Sequence, residues 1–378
     1  MNIEDFRLDP AVAHLNHGSF GAAPEVVHRR QEELRREVEH NPDVFFATVL
    51  DRIAKARDEV AAFLGAGPEG LAFVRNVTEG VAIALNSVPL APGDEILIGD
   101  HVYPAVEIAA RHRAVRSGAE VVKVTLPGEA DGDWTAEEAA AAFLGAVTPR
   151  TKVAVFDHIT SNTARLLPAR HLVEALRALG VVTIVDAAHA PGMLDVDVSA
   201  IGADFWTGNL HKWAFAPRSS GVLAVDPAWR ARVEPLIPSF YLGDGFPRSV
   251  EFQGTRDYTA WLAAPHGIRV LEELGANAVR SRNAALVARG QEIVAAGTGL
   301  RPWRADPELS MRVLRLPDGV AATQPRAEAL SAEIFRRFQV RAAVRPWPGA
   351  GLLRVSAQVY NTEHDYERLA DALRRILA

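Results

Sequence analysis

The stretch TKVAVFDHITSNTARLLPARHLVEALRALGVVTIVDA, residues 151–187, sets the architecture of the chain. Its two ends, TKVAVFDH (151–158) and VVTIVDA (181–187), are short apolar runs with little polar alternation. Strands of that kind are buried on both faces, as in parallel sheets. Between them PARHLVEALRALG (168–180) repeats apolar residues at helical spacing. A helix is the usual crossover between parallel neighbours.

The same unit recurs on either side. Upstream, the strands LAFVRN (71–76), EILIGD (95–100) and EVVKVTL (120–126) alternate with helical patterns at 78–88, 104–118 and 135–147. Downstream, ADFWTGN (203–209) is another strand, and the pattern loosens after GVLAV (221–225). Helices over 24–40, opened by Pro24, and roughly 44–64 precede the series. The chain therefore reads as α/β, a mostly parallel sheet flanked by helices, with a smaller α+β unit behind it. That unit begins with a long helix at 261–275, has strands near 311–316 and 352–357, and has helices near 325–338 and 364–377. The expected division is a segment 1–20 packing on the small unit or at the site mouth, a large domain 21–262 and a small domain 263–378.

Composition narrows the function. A net charge of −6 without a basic tract argues against nucleic acid or an anionic membrane as partner. The absence of cysteine excludes disulfides, thiolate nucleophiles and thiolate metal sites. HLNH (14–17) has a spacing that can suit a metal, but no acidic partners stand near it, and no metal site is expected. The opening MNIEDFRLDP is polar and acidic, unlike a signal peptide, and no apolar run reaches the roughly 18 residues of a membrane span. A cytoplasmic protein is the expectation.

Ligands of open parallel sheets sit beyond the carboxyl ends of the strands. The polar residues there are Asn76, Asp100, His158, Asp186 and Asn209. Asp186 ends an apolar run, and Lys212 follows the next strand in TGNLHKW (207–213). Only four of the 41 lysine and arginine side chains are lysines: Lys55, Lys123, Lys152 and Lys212. A lysine and an acid on adjacent strand ends suit pyridoxal 5′-phosphate. Its aldehyde condenses with an amine, and a carboxylate keeps its pyridine nitrogen protonated. Arginine cannot make that imine. NVTEG (76–80) ends a strand and opens a helix, so the N–H groups at 77–79 and the Thr78 hydroxyl are candidate phosphate donors. Thr78 could equally cap its helix.

At this point the chain resembles the class V aminotransferase-type, fold-type I pyridoxal phosphate enzymes. NVTEG, DHVYPAV (100–106), HITSNT (158–163), DAAHAPG (186–192), TGNLHKW and EFQGTRD (251–257) occur in that family's order. LNHGSFGAAP (15–24) looks most like the isopenicillin N epimerase branch, and cysteine desulfurases share the scaffold more distantly. The resemblance implies Lys212 as Schiff-base lysine and proton shuttle, Asp186 on the pyridine nitrogen and His189 near the ring. Tyr103 or His101 would stack on the ring, with Tyr103 preferred. Asn162 would approach the phenolic oxygen or the substrate carboxylate. Val77, Thr78, Asn209 and His211 would hold the phosphate. Thr255 would reach the phosphate of the partner subunit in a homodimer. Arg354 would grip the α-carboxylate of a small amino-acid substrate, with Asn16 and His17 at the mouth, while Arg256 has no assigned partner.

The implied reaction is epimerisation or racemisation at Cα, which needs an acid/base opposite Lys212, drawn from Tyr103, His101 and His17. A β-eliminating C–S lyase is the alternative. Transamination and cofactor binding without turnover stand behind both. Persulfide-forming desulfuration is excluded, because it needs a protein cysteine.

Overall fold

The computed structural model describes residues 1–128 and 131–377. Seven strands form the main sheet: β1 (Leu71–Val74), β2 (Glu95–Gly99), β3 (Glu120–Val124), β4 (Thr151–Asp157), β5 (Val182–Ala187), β6 (Phe205–Asn209) and β7 (Gly221–Val225). Their order across the sheet is β1-β7-β6-β5-β4-β2-β3. From β3 to β6 every pairing is parallel. β7 runs antiparallel to both β6 and β1.

The apolar runs behave as two-sided burial requires. Val153, Ala154, Val155 and Phe156 of β4 are all buried, as are Ile184 and Val185 of β5. Full burial of such side chains contributes about 1.5–3 kcal/mol each for the larger ones. Separate apolar cores cover the two faces of the sheet. One includes Phe156, Val185 and Trp206, the other Val155, Ile184 and Phe205, as expected for alternating residues of one strand.

The carboxyl-terminal part holds a four-stranded antiparallel sheet. Its strands are β8 (Arg301–Pro302), β9 (Met311–Arg315), β10 (Ala343–Trp347) and β11 (Ala350–Ser356), in the order β10-β11-β9-β8. Helices Ala276–Thr298, Gln324–Phe338 and Glu363–Leu377 pack with it around a third core containing Val287, Ile334 and Leu353. The sequence pattern had given neither β8 nor β10, nor the helix at 276–298.

Two connections bind the sheets into one frame. The buried Arg165 donates to the Gly132 and Trp134 carbonyls and pairs with Asp306 at 2.9 Å. At the amino end, Ala13–His14 pairs in parallel with Val340–Arg341. The Leu15 carbonyl accepts from the Ser356 N–H at 2.9 Å. Among the described residues, no helix is long and apolar enough to cross a membrane.

Candidate active site

The carboxyl ends of β4, β5 and β6 open into a cavity of about 190 Å³, completed by the start of the helix Val77–Ser87 and by Ser19, Phe20 and Tyr103. Lys212 lies in the single helical turn Leu210–Trp213 that follows β6. Its backbone is gripped from two sides. Gly21 (φ +65°) lies so close that an added Cβ would fall 1.8 Å from the His211 carbonyl oxygen. A Cβ on Gly192 (φ +87°) would meet the Trp213 carbonyl at 2.5 Å. Only a residue without Cβ that tolerates positive φ fits either position.

Lys212 Nζ lies 3.2 Å from His189 Nε2, and the Trp213 indole N–H donates to His189 Nδ1 at 3.4 Å. The second contact leaves the ring hydrogen on Nε2, directed at the lysine amine. Burial, the nearby Arg354 cation and, less strongly, Arg345 pull the Lys212 ammonium down to about 7, against the opposing pull of Asp186 and Asp157. Burial likewise holds His189 well below the ordinary histidine range, assisted by Lys212 and Arg354.

Asp186 is buried and accepts the Ala188 N–H at 2.9 Å. Directly beside it in the parallel register is Asp157, the last residue of β4. Burial raises both carboxyls, and Asp157 is raised further by the Asp186 charge next to it. Two carboxyls in one dry cavity cannot both ionise freely, so the pair favours Asp157 carrying the proton and Asp186 the charge. Asp157 falls outside the expected site because the sequence pattern places the strand end one residue later, at His158. The signal was present, since VFDH and IVDA both place an aspartate after an apolar run.

At the helix start the cap is Asn76, not Thr78. Asn76 Oδ1 accepts from the Glu79 N–H at 3.1 Å. The Val77 N–H is taken by Asn209 Oδ1 at 3.0 Å. Of the three expected donors, Val77 and Glu79 are therefore engaged within the protein. Thr78 is exposed and lines the cavity. His211 Nδ1 donates to the Ser220 carbonyl at 2.9 Å, and the ring lines the cavity beside Asn209.

Several other expected residues sit elsewhere. His101 is buried against Trp347, with ring centroids 4.8 Å apart, and bonds Thr163 Oγ1 at 2.9 Å. It does not line the cavity. Asn162 is likewise off the wall, and its neighbour Ser161 takes the place. His17 is buried, with Nε2 donating to the Lys212 carbonyl at 2.6 Å and Nδ1 accepting from the Tyr360 hydroxyl at 2.9 Å. It secures the turn that carries the lysine, and its neighbour Asn16 accepts from the Ser19 hydroxyl at 2.6 Å. Both line an outer vestibule rather than the inner cavity. Thr255 is exposed and away from this cavity. Arg256 stacks over Trp261, 4.3 Å from its centroid.

Arg354, in β11, is buried and directs Nη1 to the Ser161 carbonyl and Nη2 to Ser19 Oγ at 3.0 Å. Among the described residues it has no carboxylate partner. Burial and the neighbouring Arg345 lower it to about 9.

The family described as aminotransferase class-V matches residues 18–369. The chain belongs to the class V aminotransferases. It is similar to an isopenicillin N epimerase of Streptomyces clavuligerus, 36% identical over 386 residues, covering 97% of this chain and 95% of that protein. An L-cysteine desulfhydrase of Arabidopsis thaliana is 29% identical over 404 residues, covering 97% and 88%. Among solved structures, a cystine C–S lyase in complex with its product cysteine persulfide matches with a TM-score of 0.82 at 18% identity, covering 96% of this chain and 97% of that one. A cysteine desulfurase of Escherichia coli matches with a TM-score of 0.81 at 20% identity, covering 99% and 97%. These place the fold among the fold-type I enzymes.

As a class V aminotransferase the protein is an enzyme dependent on pyridoxal phosphate. The cavity fits that group on its own chemistry. It offers an easily deprotonated amine at Lys212 and a buried carboxyl at Asp186 that accepts only one N–H among the described residues. It also offers anion donors at the positive end of a helix dipole.

Proposed function

We propose that the protein is an epimerase or racemase that inverts the α-carbon of an amino acid or of a substrate containing one. One observation carries this reading. Lys212 and Tyr103, two groups able to exchange protons, line the same cavity, while His101 and His17 are withdrawn into buried hydrogen bonds. Of the expected partners for Lys212, Tyr103 is the one left in reach of a substrate.

Pyridoxal phosphate, when bound, withdraws electrons and acidifies the hydrogen on the substrate's α-carbon. The Lys212 amine, whose hold on its proton is loosened by burial and by Arg354, takes up and returns the α-proton. The Tyr103 hydroxyl serves the other exchange. Asp186 supplies a fixed negative charge for the ring nitrogen, and Asp157 beside it carries the proton of the pair. His189 Nε2 orients the lysine amine. Thr78, with Asn209 and His211 beside it, holds the phosphate. Arg354, without a carboxylate partner among the described residues, is the seat for the α-carboxylate through paired hydrogen bonds. Thr255 is assigned to the phosphate of a partner subunit in a homodimer, and the cytoplasm is the compartment we assign.

A β-eliminating C–S lyase is the second reading, favoured by the resemblance to a desulfhydrase over 97% of this chain. Incubation of the holoenzyme with amino acids in deuterated water separates the two. Solvent deuterium at Cα together with inverted configuration is the expected result. A keto acid formed with release of the β-substituent, without inversion, would replace the epimerase reading with the lyase.

A further inference from the structure

The inner cavity continues outward past Ser19 and Phe20, which line both spaces, into a vestibule of about 520 Å³. That is more than twice the inner volume of about 190 Å³. Its walls come from the amino-terminal segment, the helix Gln324–Phe338 and β10. Arg218, Arg341 and Arg345 line it, against one carboxylate, Glu328.

None of these three arginines forms an ion pair among the described residues. Arg218 donates to the Gly21 carbonyl at 3.1 Å, Arg345 reaches Ser19 Oγ at 3.4 Å, and Arg341 lies over the Phe335 ring. Elsewhere on the surface arginine commonly finds an acid, as in Arg7–Glu25, Arg111–Glu107 and Arg170–Glu174. Unpaired cations gathered on one cavity wall of a protein with net charge −6 are a local field of the opposite sign, and such fields concentrate anions.

The juxtaposition of Arg345 and Arg354 is sharper still. Both guanidiniums end on one neutral hydroxyl, Ser19 Oγ, at 3.4 and 3.0 Å. Two converging cations there lack the anions that would balance them. A single α-carboxylate satisfies Arg354, the buried member. It leaves Arg345 and the vestibule behind it unbalanced.

We propose that the substrate carries a second carboxylate at the end of its side chain, and that Arg345, flanked by Arg218 and Arg341, forms the subsite that receives it. The planar fork of arginine matches a carboxylate through two parallel hydrogen bonds, and the vestibule has room for the chain between. The inference rests on the reading of the inner cavity as the site of α-carbon chemistry.

Holoenzyme titrations with matched ligands test it, following the visible absorption of the bound cofactor. L-Glutamate and L-norvaline share a chain length and differ in the terminal carboxylate, as do L-2-aminoadipate and L-norleucine. The wild-type protein is expected to favour the acid-ended member of at least one pair by about tenfold or more, the scale of one charge-assisted hydrogen bond. In Arg345→Gln that preference is expected to fall about tenfold. Arg218→Gln and Arg341→Gln are second variants, each expected to reduce it. Equal affinity within both pairs in the wild-type protein overturns the proposal, as does a preference unchanged by all three substitutions. Calorimetry with glutarate, which has no amine, keeps two failures apart. Glutarate binding that is lost in Arg345→Gln upholds the subsite even if no amino acid exchanges its α-hydrogen. Exchange without any preference for acid-ended chains upholds the α-carbon reading alone.

Discussion

In the cofactor-free protein the Lys212 amine should titrate near 7 rather than at the ordinary 10.5. That gap corresponds to roughly 5 kcal/mol, at about 1.4 kcal/mol per pH unit. About half of the side chain is then neutral at pH 7, against roughly one part in 3000 for an ordinary lysine. The sign for stability follows. The folded state binds this proton less readily than the unfolded chain between about 7 and 10.5. Stability from this group therefore falls as pH drops through that window, and it levels off below about 7. Reductive methylation with ¹³C-formaldehyde makes the assay clean, because only Lys55, Lys123, Lys152 and Lys212 carry ε-amines, and Lys212→Arg identifies its signal. Two substitutions probe the cause. Arg354→Gln removes a neighbouring cation and should raise the midpoint. Asp186→Asn removes a neighbouring anion and should lower it. A Lys212 midpoint above about 9 in the wild-type protein, or shifts of the same sign in both variants, would refute the reasoning.

Other outcomes follow from the same geometry. Asp186→Asn should retain cofactor yet slow α-deuterium exchange by about 100-fold, the scale of roughly 3 kcal/mol of fixed charge stabilisation. Undiminished exchange would mean that the ring nitrogen has another partner. Thr78→Val should weaken reconstitution with pyridoxal phosphate by about tenfold in a fluorescence titration, the loss of one charge-assisted hydrogen bond. Gly21→Ala should lower stability by at least about 1–3 kcal/mol in urea denaturation, since it forces both a left-handed conformation and a clash with His211. Arg165→Ala, which removes the donors to the Gly132 and Trp134 carbonyls and the cation beside Asp306, should cost about 1–3 kcal/mol in the same measurement.

The strands and crossovers of the main sheet were legible because two-sided burial demands unbroken apolar runs, and 71–74, 95–99, 151–157 and 182–187 carry them. The helix Ala276–Thr298 was not legible. Its inner face carries Val279, Ala284, Val287 and Val294 but is broken by Asn283 and Gly290, which interrupts the apolar repeat. Gly290 is required there by Tyr366, which an added Cβ would meet at 2.3 Å. In the site, Lys212, Asp186, His189, Asn209, His211, Thr78 and Tyr103 could be gathered on one cavity wall from strand-end logic and motif. Register escaped it. Moving the end of one strand by a single residue exchanges His158 for Asp157, and in the turn that follows Ser161 rather than Asn162 meets the cavity. Arg345 was invisible because β10 is a short edge strand whose arginine reads as surface.

The tie between Leu15 and Ser356, and that between His17 and Tyr360, bear on how the enzyme is made. On the ribosome the first residues emerge long before the strand and loop they must touch. The His17 ring that clamps the Lys212 carbonyl gains its second partner only once Tyr360 has been released. Loss of residues 356–360 would take from His17 the Tyr360 hydroxyl that fixes its ring, and so loosen the brace on the lysine's turn.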